Sequence, residues 1–179
     1  MPFFPSRHRR PILARFAFAA LAVLAIAGPV GAAPLKTAIF PFELIDSGEG
    51  TPGAPSHEAE LRRLAMIASI LKERLAASGV YAPIDLAGTE AAIAKSPALN
   101  GCQRCAEEIA RGAGAEIAVV GYVQKVSNLI LNINIRVSNA HTGQILATAS
   151  ADIRGNTDET WTHGIEWLVK NRLLAKPQP

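Results

Sequence analysis

The residues best suited to redox or metal chemistry are Cys102 and Cys105, three positions apart at the start of a predicted helix. At this spacing the two sulfurs can form a short disulfide, and Arg104 together with the helix N-terminus would stabilise a reactive thiolate. For an exported chain an oxidised, structural pair is the default, while a redox-active pair and a metal-binding or intermolecular role remain alternatives. Ala106 follows the second Cys, where haem attachment requires His. The pair therefore predicts a disulfide, with a thiol–disulfide or metal-handling function as the alternative.

Other catalytic and ligand-binding patterns are not found in the sequence. His57, His141 and His163 fall on different predicted elements, and no two have the i, i+4 spacing of a helical metal site. No Gly-x-Ser-x-Gly elbow occurs. Gly112 and Gly114 end a helix, whereas the glycines of a phosphate loop lead from a strand into one. The sequence therefore predicts no catalytic residue, metal, cofactor or nucleotide site, and a protein that is not an enzyme.

Exposed apolar side chains offer a different kind of function, which is docking. Trp167 falls off the apolar stripe of the last predicted helix, near His163, while Leu146 and Ile130 occupy outward positions on their strands. These four residues form a candidate partner surface. The alternative is that a helix covers that side of the sheet. Strand addition at a sheet edge is a second docking mode, and the loop 46–55 acting as a lid over a small ligand is a less favoured third.

The N-terminal segment 1–32 has the parts of a secretory signal peptide. Four Arg residues precede the apolar run 16–27, which is too short to span a bilayer comfortably, and small residues follow. We expect cleavage after Ala32, because Pro34 would be a poor residue immediately after the cut. Cleavage after Ala33 is the alternative. A retained membrane anchor is the other interpretation. The expected location is the periplasm, with no membrane span after cleavage.

The charge of the chain follows from this segment. The sequence has 179 residues, with 18 Lys and Arg, 15 Asp and Glu, and a formal net charge of +3. Four of the basic residues and none of the acidic ones lie in residues 1–33, so the remainder carries a formal charge of −1. No basic surface is implied, and a nucleic-acid partner is not expected.

Hydrophobic periodicity predicts one α/β domain over residues 36–175, with a disordered tail at 176–179. The expected element order is β-α-β-α-α-β-β-β-α, which gives a mixed five-stranded sheet that contains an antiparallel meander. The predicted strands are 36–44, 80–86, 116–126, 129–138 and 144–154. The predicted helices are 56–78, 89–95, 103–111 and one that begins at Asn156 and ends near Leu173.

Local patterns add detail to three of these elements. Pro41 lacks an N–H and indicates either a bulge in the first strand or a side of that strand that pairs with nothing. Asn156 is the expected N-cap of the last helix, with Glu159 three residues later as in a capping box. The inner face of the fourth strand is expected to hold Leu129, Leu131, Ile133, Ile135 and Val137. The inner face of the fifth is expected to hold Ile145, Ala147, Ala149, Ala151 and Ile153.

Residues 37–43 (TAIFPFE) and 111–123 (RGAGAEIAVVGYV) resemble the amino-terminal domain of TolB. They are also similar to the related periplasmic domain of curli-secretion and penicillin-binding-protein-activator proteins. The similarity runs in order through most of residues 36–175, although this sequence lacks the propeller repeats of TolB and the lipidation Cys of the lipoprotein members. The resemblance implies a non-enzymatic envelope domain that acts as an accessory or adaptor and binds other envelope proteins.

Overall fold

Six strands form one mixed sheet in the computed structural model, which describes Met1 and residues 32–47 and 57–175. The strand order is β3-β1-β4-β5-β6, and β2 pairs with β4 beyond the end of β1. The pairs β1–β3, β1–β4 and β2–β4 are parallel, and β4, β5 and β6 form an antiparallel meander. The strands are β1 (Leu35–Ile39), β2 (Glu43–Asp46), β3 (Tyr81–Pro83), β4 (Ile117–Lys125), β5 (Leu131–Asn139) and β6 (Ile145–Ile153). The predicted α/β class and the meander are confirmed.

The sheet has one strand more than predicted because the first strand is divided at Pro41. Ile39 pairs with Val119 and Glu43 pairs with Tyr122, so four steps along the first segment match three steps along β4. The extra residue is accommodated where Pro41 has no N–H to donate to the ladder. β1 and β2 are therefore two parts of one bulged strand that pairs with β4.

Four helices cover the sheet unequally. They are α1 (His57–Ala77), α2 (Glu90–Lys95), α3 (Cys105–Gly112) and α4 (Asp158–Leu168), and a π-helical segment, Val169–Leu173, continues α4. α1 and α4 pack on one face of the sheet, where their own large apolar side chains, among them Ile67, Leu71, Trp161 and Ile165, are buried. Burying one such side chain stabilises the fold by about 1.5–3 kcal/mol. On the other face α3 covers β1, the start of β4 and Ser138 near the end of β5, so the remainder of that side of β5 and β6 is polar and open.

The ends of the meander differ from the predicted pattern. β5 begins at Leu131 because Ser127 and Ile130 close a turn through two backbone hydrogen bonds, which leaves Leu129 72% exposed. A register shift between Val137 and Ser138 changes the pairing at the start of β6. The predicted inward positions of Leu129 and Ile145 are therefore wrong, since Ile145 is 57% exposed.

The predicted N-cap of the last helix is also wrong. Thr157 is the N-cap of α4, and it forms a capping box with Thr160, whose backbone N–H donates to the Thr157 side chain. Asn156 is buried one residue earlier and hydrogen-bonds to other side chains. Because the Asn156 amide hydrogen-bonds to buried polar side chains, the hydroxyl of the neighbouring Thr157 forms the N-cap instead.

The described residues from Ala33 onward belong to one compact unit. Several sequence predictions fall outside the described residues: the apolar run 16–27, the first residue of the predicted helix 56–78, most of the loop 46–55 and the tail 176–179. Within the part of the chain that the structure describes, no helix has the length and apolar character needed to cross a bilayer.

Candidate functional site

The most distinctive surface is a groove between the edge strand β6 and helix α4. Ser150 to Arg154 line one side of it, and the other side includes His163, Gly164 and Trp167 of α4 and Arg172 of the π-helical segment. Its volume is about 550 Å³. Because β6 ends the strand order, no described strand pairs with its outer side.

The register of β6 shows which backbone groups face this groove. Gly155 donates its backbone N–H to the carbonyl of Leu129, so Leu129 and Gly155 form a hydrogen-bonded pair two residues beyond the pair Leu131–Ile153. Bonded pairs alternate along an antiparallel ladder, so Ile153, Ala151 and Ala149 direct their N–H and C=O groups toward β5. The residues between them, Thr148, Ser150 and Asp152, therefore direct theirs outward.

Helix α4 lies close to the sheet because it carries Gly164 at the crossing. A Cβ atom at this position would clash with the side chains of Ile153 and Ile133. The close approach sets the depth of the groove and places His163 and Trp167, one turn of helix apart, beside the edge of β6.

Trp167 is 44% exposed although it is the largest side chain in the groove. The Arg172 guanidinium lies 5.3 Å from the centre of its ring, which is cation–π geometry. This contact holds the indole at the surface with an adjacent positive charge. An exposed, oriented aromatic ring beside a cation is the type of residue that dominates protein interfaces.

The structure brings together two of the four residues of the predicted partner surface. His163 and Trp167 line the groove. Leu146 is half-buried against the core, and Ile130 lies 50% exposed in the turn between β4 and β5. Neither lines the groove.

A buried ion cluster lies where β2, α1 and β4 meet. Lys125 Nζ is 2.7 Å from Glu60 Oε1 and 2.9 Å from Asp46 Oδ2, and Lys125 and Glu60 are 7% and 2% exposed. Burial is the largest single influence on the pKa of Lys125 and acts to lower it. The hydrogen bonds and charges of Glu60 and Asp46 outweigh burial and hold the pKa above its ordinary value. Lys125 is therefore cationic at neutral pH and serves as an anchor.

The cluster extends to the entrance of α4 through Asn156. The Asn156 amide donates to Glu60 Oε1 at 2.7 Å and accepts from Trp161 Nε1 at 2.9 Å. Arg63 reaches both Asn156, at 3.2 Å, and Asp158, at 2.7 Å. These bonds fix the direction in which α4 leaves the sheet, and hence the wall of the groove.

The second buried acid is Glu107 of α3. Ser138 donates to Glu107 Oε1 at 2.5 Å, and Arg136 lies 4.0 Å from the same oxygen. Glu107 Oε2 and Arg136 Nε have no hydrogen-bond partner among the described residues. The neighbouring acid of α3, Glu108, is exposed, so only Glu107 of this adjacent pair is buried.

The cysteines form the predicted disulfide, with 5.7 Å between their Cα atoms. Cys105 is the first residue of α3 and both cysteines are half-buried. Arg104 points away from the sulfurs and donates to the carbonyl oxygens of Thr142, at 3.2 Å, and His141, at 3.5 Å. It joins the disulfide loop to the turn between β5 and β6, which is a structural role.

A cleft of about 640 Å³ lies at the carboxyl ends of β1 and β3. Its lining is mainly apolar and includes Phe40, Phe42 and Leu64, with Lys72 and Glu90 among its few charged residues. The loop proposed as a lid for a small ligand lies mostly outside the described residues, so the ligand hypothesis stays a prediction. Among the residues described, no group of three or more His, Cys, Asp or Glu is placed to hold a metal ion.

Solved structures with a similar fold include PelC from Paraburkholderia phytofirmans, a dodecamer. It is 18% identical, with 84% of this chain and 94% of that chain covered and a TM-score of 0.50. The LpoB C-terminal domain from Escherichia coli matches at 16% identity, over 72% and 88% of the two chains, with a TM-score of 0.48. Lipoprotein GNA1162 from Neisseria meningitidis matches at 18% identity, over 70% and 84%, with a TM-score of 0.45. At these identities the likeness to PelC shows a shared fold.

No curated protein matches the chain. Residues 35–173 match the model of the family DUF3280, described as "Protein of unknown function (DUF2380)", and the match includes both walls of the groove, the buried ion cluster and the disulfide. The chain therefore belongs to the DUF3280 family.

Proposed function

We propose that this chain is an exported, non-enzymatic accessory protein that binds other envelope proteins in the periplasm. The groove between β6 and α4 carries the proposal, because it combines a free strand edge with the exposed Trp167. The signal-like segment 1–32 supports export. PelC supports a role in assembly, since a chain of this fold forms a dodecamer. A closer relation to the TolB and curli-secretion domains remains a prediction from the motifs.

The tagged full chain, cross-linked in the envelope of its own organism and recovered, tests this proposal. Trp167→Ala is the test variant, and Leu129→Ala is its matched control, because Leu129 is also a large exposed apolar residue but lies outside the groove. We expect a defined set of envelope proteins that Trp167→Ala loses and Leu129→Ala retains. Recovery of no partner, or loss of partners in both variants alike, would contradict the proposal.

The disulfide supports one alternative, a periplasmic thiol–disulfide or metal-handling protein. Cys102 and Cys105 are half-buried at the start of a helix, the position at which a thiolate is stabilised. A redox-active pair has a higher reduction potential than a structural disulfide, typically above about −300 mV. Equilibration of the chain with glutathione or dithiothreitol buffers measures this potential. A value below that range, with no metal retained by the reduced chain, removes the alternative.

A further inference from the structure

We propose that β6 accepts an extended, acidic segment of a partner protein as an additional strand of the sheet, with α4 contacting its side chains. This inference deepens the proposed function and rests on it. It assigns a binding mode, a place and a charge to the partner. Three observations carry it: the state of the edge, the position of the groove along it, and the charges around the groove.

The edge of β6 is long, and no described strand pairs with its outer side. β6 has nine residues, ILATASADI, without Pro or Lys, and its only register shift lies near its first residue. Thr148, Ser150 and Asp152 direct their backbone groups outward, as the register shows. Natural proteins usually interrupt such an edge with a charge, a proline or a bulge, because it is a template for another strand. An edge left open over this length fits a strand that binds there.

The groove follows that edge and reaches around both of its faces. It is lined by Ala151 and Ile153, which face α4, and by Ser150 and Asp152, which face the open side of the sheet. A cavity lined by consecutive residues of both faces includes the backbone edge between them. A strand placed about 4.8 Å from β6 would occupy this space. Its alternate side chains would then meet Trp167 and His163 of α4.

The charge of the groove selects the partner. Arg154, Arg172 and His163 line it, and the only acidic lining residue is Asp152, which already accepts a hydrogen bond of 2.6 Å from Asn132. Within the described ranges, no salt bridge neutralises either arginine. A strand with Asp or Glu at alternate positions would complement these arginines and the outward amides together.

A second copy of this chain suits the same edge less well. A second copy of β6 would offer Arg154 and Arg172 only one acidic residue, Asp152, which already accepts a hydrogen bond from Asn132. The acidic strand of another protein would offer several. We therefore assign the edge to a different partner and treat self-pairing as an outcome of the test.

The probe is a phage-displayed library of random peptides about ten residues long, close to the length of β6. It is selected against the full chain purified from the envelope fraction. We expect the selected peptides to carry Asp or Glu at alternate positions. Hydrogen exchange of the complex should show new protection at the amides of Ser150 and Asp152.

Two variants and their controls test the contacts by fluorescence polarisation of a selected peptide. Ser150→Pro removes an outward N–H and should weaken binding by about tenfold, whereas Ser150→Ala retains that N–H and should change affinity by less than about twofold. Arg172→Glu should also weaken binding by about tenfold. Arg111→Glu makes the same charge change at an exposed site on α3, away from β6, and should have little effect.

Any of four results would overturn the inference. These are a selection that yields no peptide, selected peptides without acidic enrichment, equal affinity for Ser150→Pro and Ser150→Ala, and a dimer that only Ser150→Pro disrupts while the peptides do not compete. Envelope partners that cross-link equally to the wild-type chain and to Ser150→Pro would leave the proposed function standing and reject strand addition alone. Absence of partners for every form would reject both.

Discussion

The two edges of the sheet are built in opposite ways. β3 has three residues and ends at Pro83. Ile84 donates its N–H to Thr37, so the alternation of the ladder directs the backbone nitrogen of residue 83 outward, where proline carries no hydrogen. β6 has nine residues, and Thr148, Ser150 and Asp152 keep outward N–H groups. One edge is closed by its sequence and the other is left open beside a groove, which is the contrast expected if the open edge accepts a partner strand as we propose.

The largest expected effect comes from the ion cluster that fixes the wall of the open edge. In Lys125→Met the buried Glu60 loses its cation, and removal of one partner from a buried pair costs about 3–5 kcal/mol. We expect urea denaturation to show a loss of this size. Hydrogen exchange should increase in α4 and β2 but little in β3, which holds no member of the cluster. The exposed pair Arg62–Glu58 provides the control, since Arg62→Met should cost less than about 1 kcal/mol.

Much of this fold could be predicted from the sequence because its strongest signals are local. The alternation from Leu131 to Val137 identifies β5, and Pro41 predicts the bulge that divides the first strand. The inward placement of Leu129 and Ile145 failed because a turn and a register shift, set by the pairing of strands, override the continuing alternation.

The site could be predicted only in part, for a physical reason. Trp167 and His163 are one helical turn apart, so their shared surface follows from the sequence of α4 alone. The anchor of that surface does not, because Asp46, Glu60 and Lys125 come from three distant segments that only the sheet brings together. The same distance effect explains Asn156, which has the sequence of an N-cap but is committed to Glu60 and Trp161.

A second test compares two glycines, Gly164 and Gly121, whose backbone lies in close contact with buried apolar side chains. Gly164→Val would clash with Ile153 and Ile133 beside the open edge. Gly121→Val, in the middle of β4, would clash with the ring of Phe42. Overpacking of this kind costs about 1–3 kcal/mol, measured by thermal or urea denaturation. Only Gly164→Val should also weaken binding at the groove. Gly112→Ala, whose added Cβ meets nothing within 4 Å, should be neutral or stabilising. Equal loss of binding in both valine variants would mean that stability, not the groove, controls the interaction.

The raised pKa of Lys125 predicts a loss of stability in alkali. A group whose pKa is higher in the folded chain stabilises it fully below the unfolded value, here 10.5, and loses this contribution as the pH rises through the folded value. The raised pKa of Tyr81, which follows from burial at the closed edge, acts in the same direction. Urea denaturation between pH 8 and pH 11 measures the total. Lys125→Met should reduce the slope, and a variant with an unchanged slope would show that Lys125 does not contribute.

The smallest expected effect exchanges the properties of the two edges. Pro83→Val restores an outward N–H on β3, and Ser150→Pro removes one from β6. Because the backbone N–H of both positions faces away from the ladder, neither change breaks a backbone hydrogen bond of the sheet, although Ser150→Pro also loses the exposed bond from the Ser150 hydroxyl to Asn132 Oδ1. Each change should alter the free energy of unfolding by about 1 kcal/mol or less. Their effects on association should differ. Ser150→Pro should weaken peptide binding at β6 by about tenfold. Pro83→Val should leave that binding unchanged and raise concentration-dependent self-association, measured by light scattering, because the proline that blocks pairing at the β3 edge has been removed. If Pro83→Val stays monomeric at every concentration tested, the shortness of β3 and not its proline closes that edge, and the contrast with β6 becomes one of length.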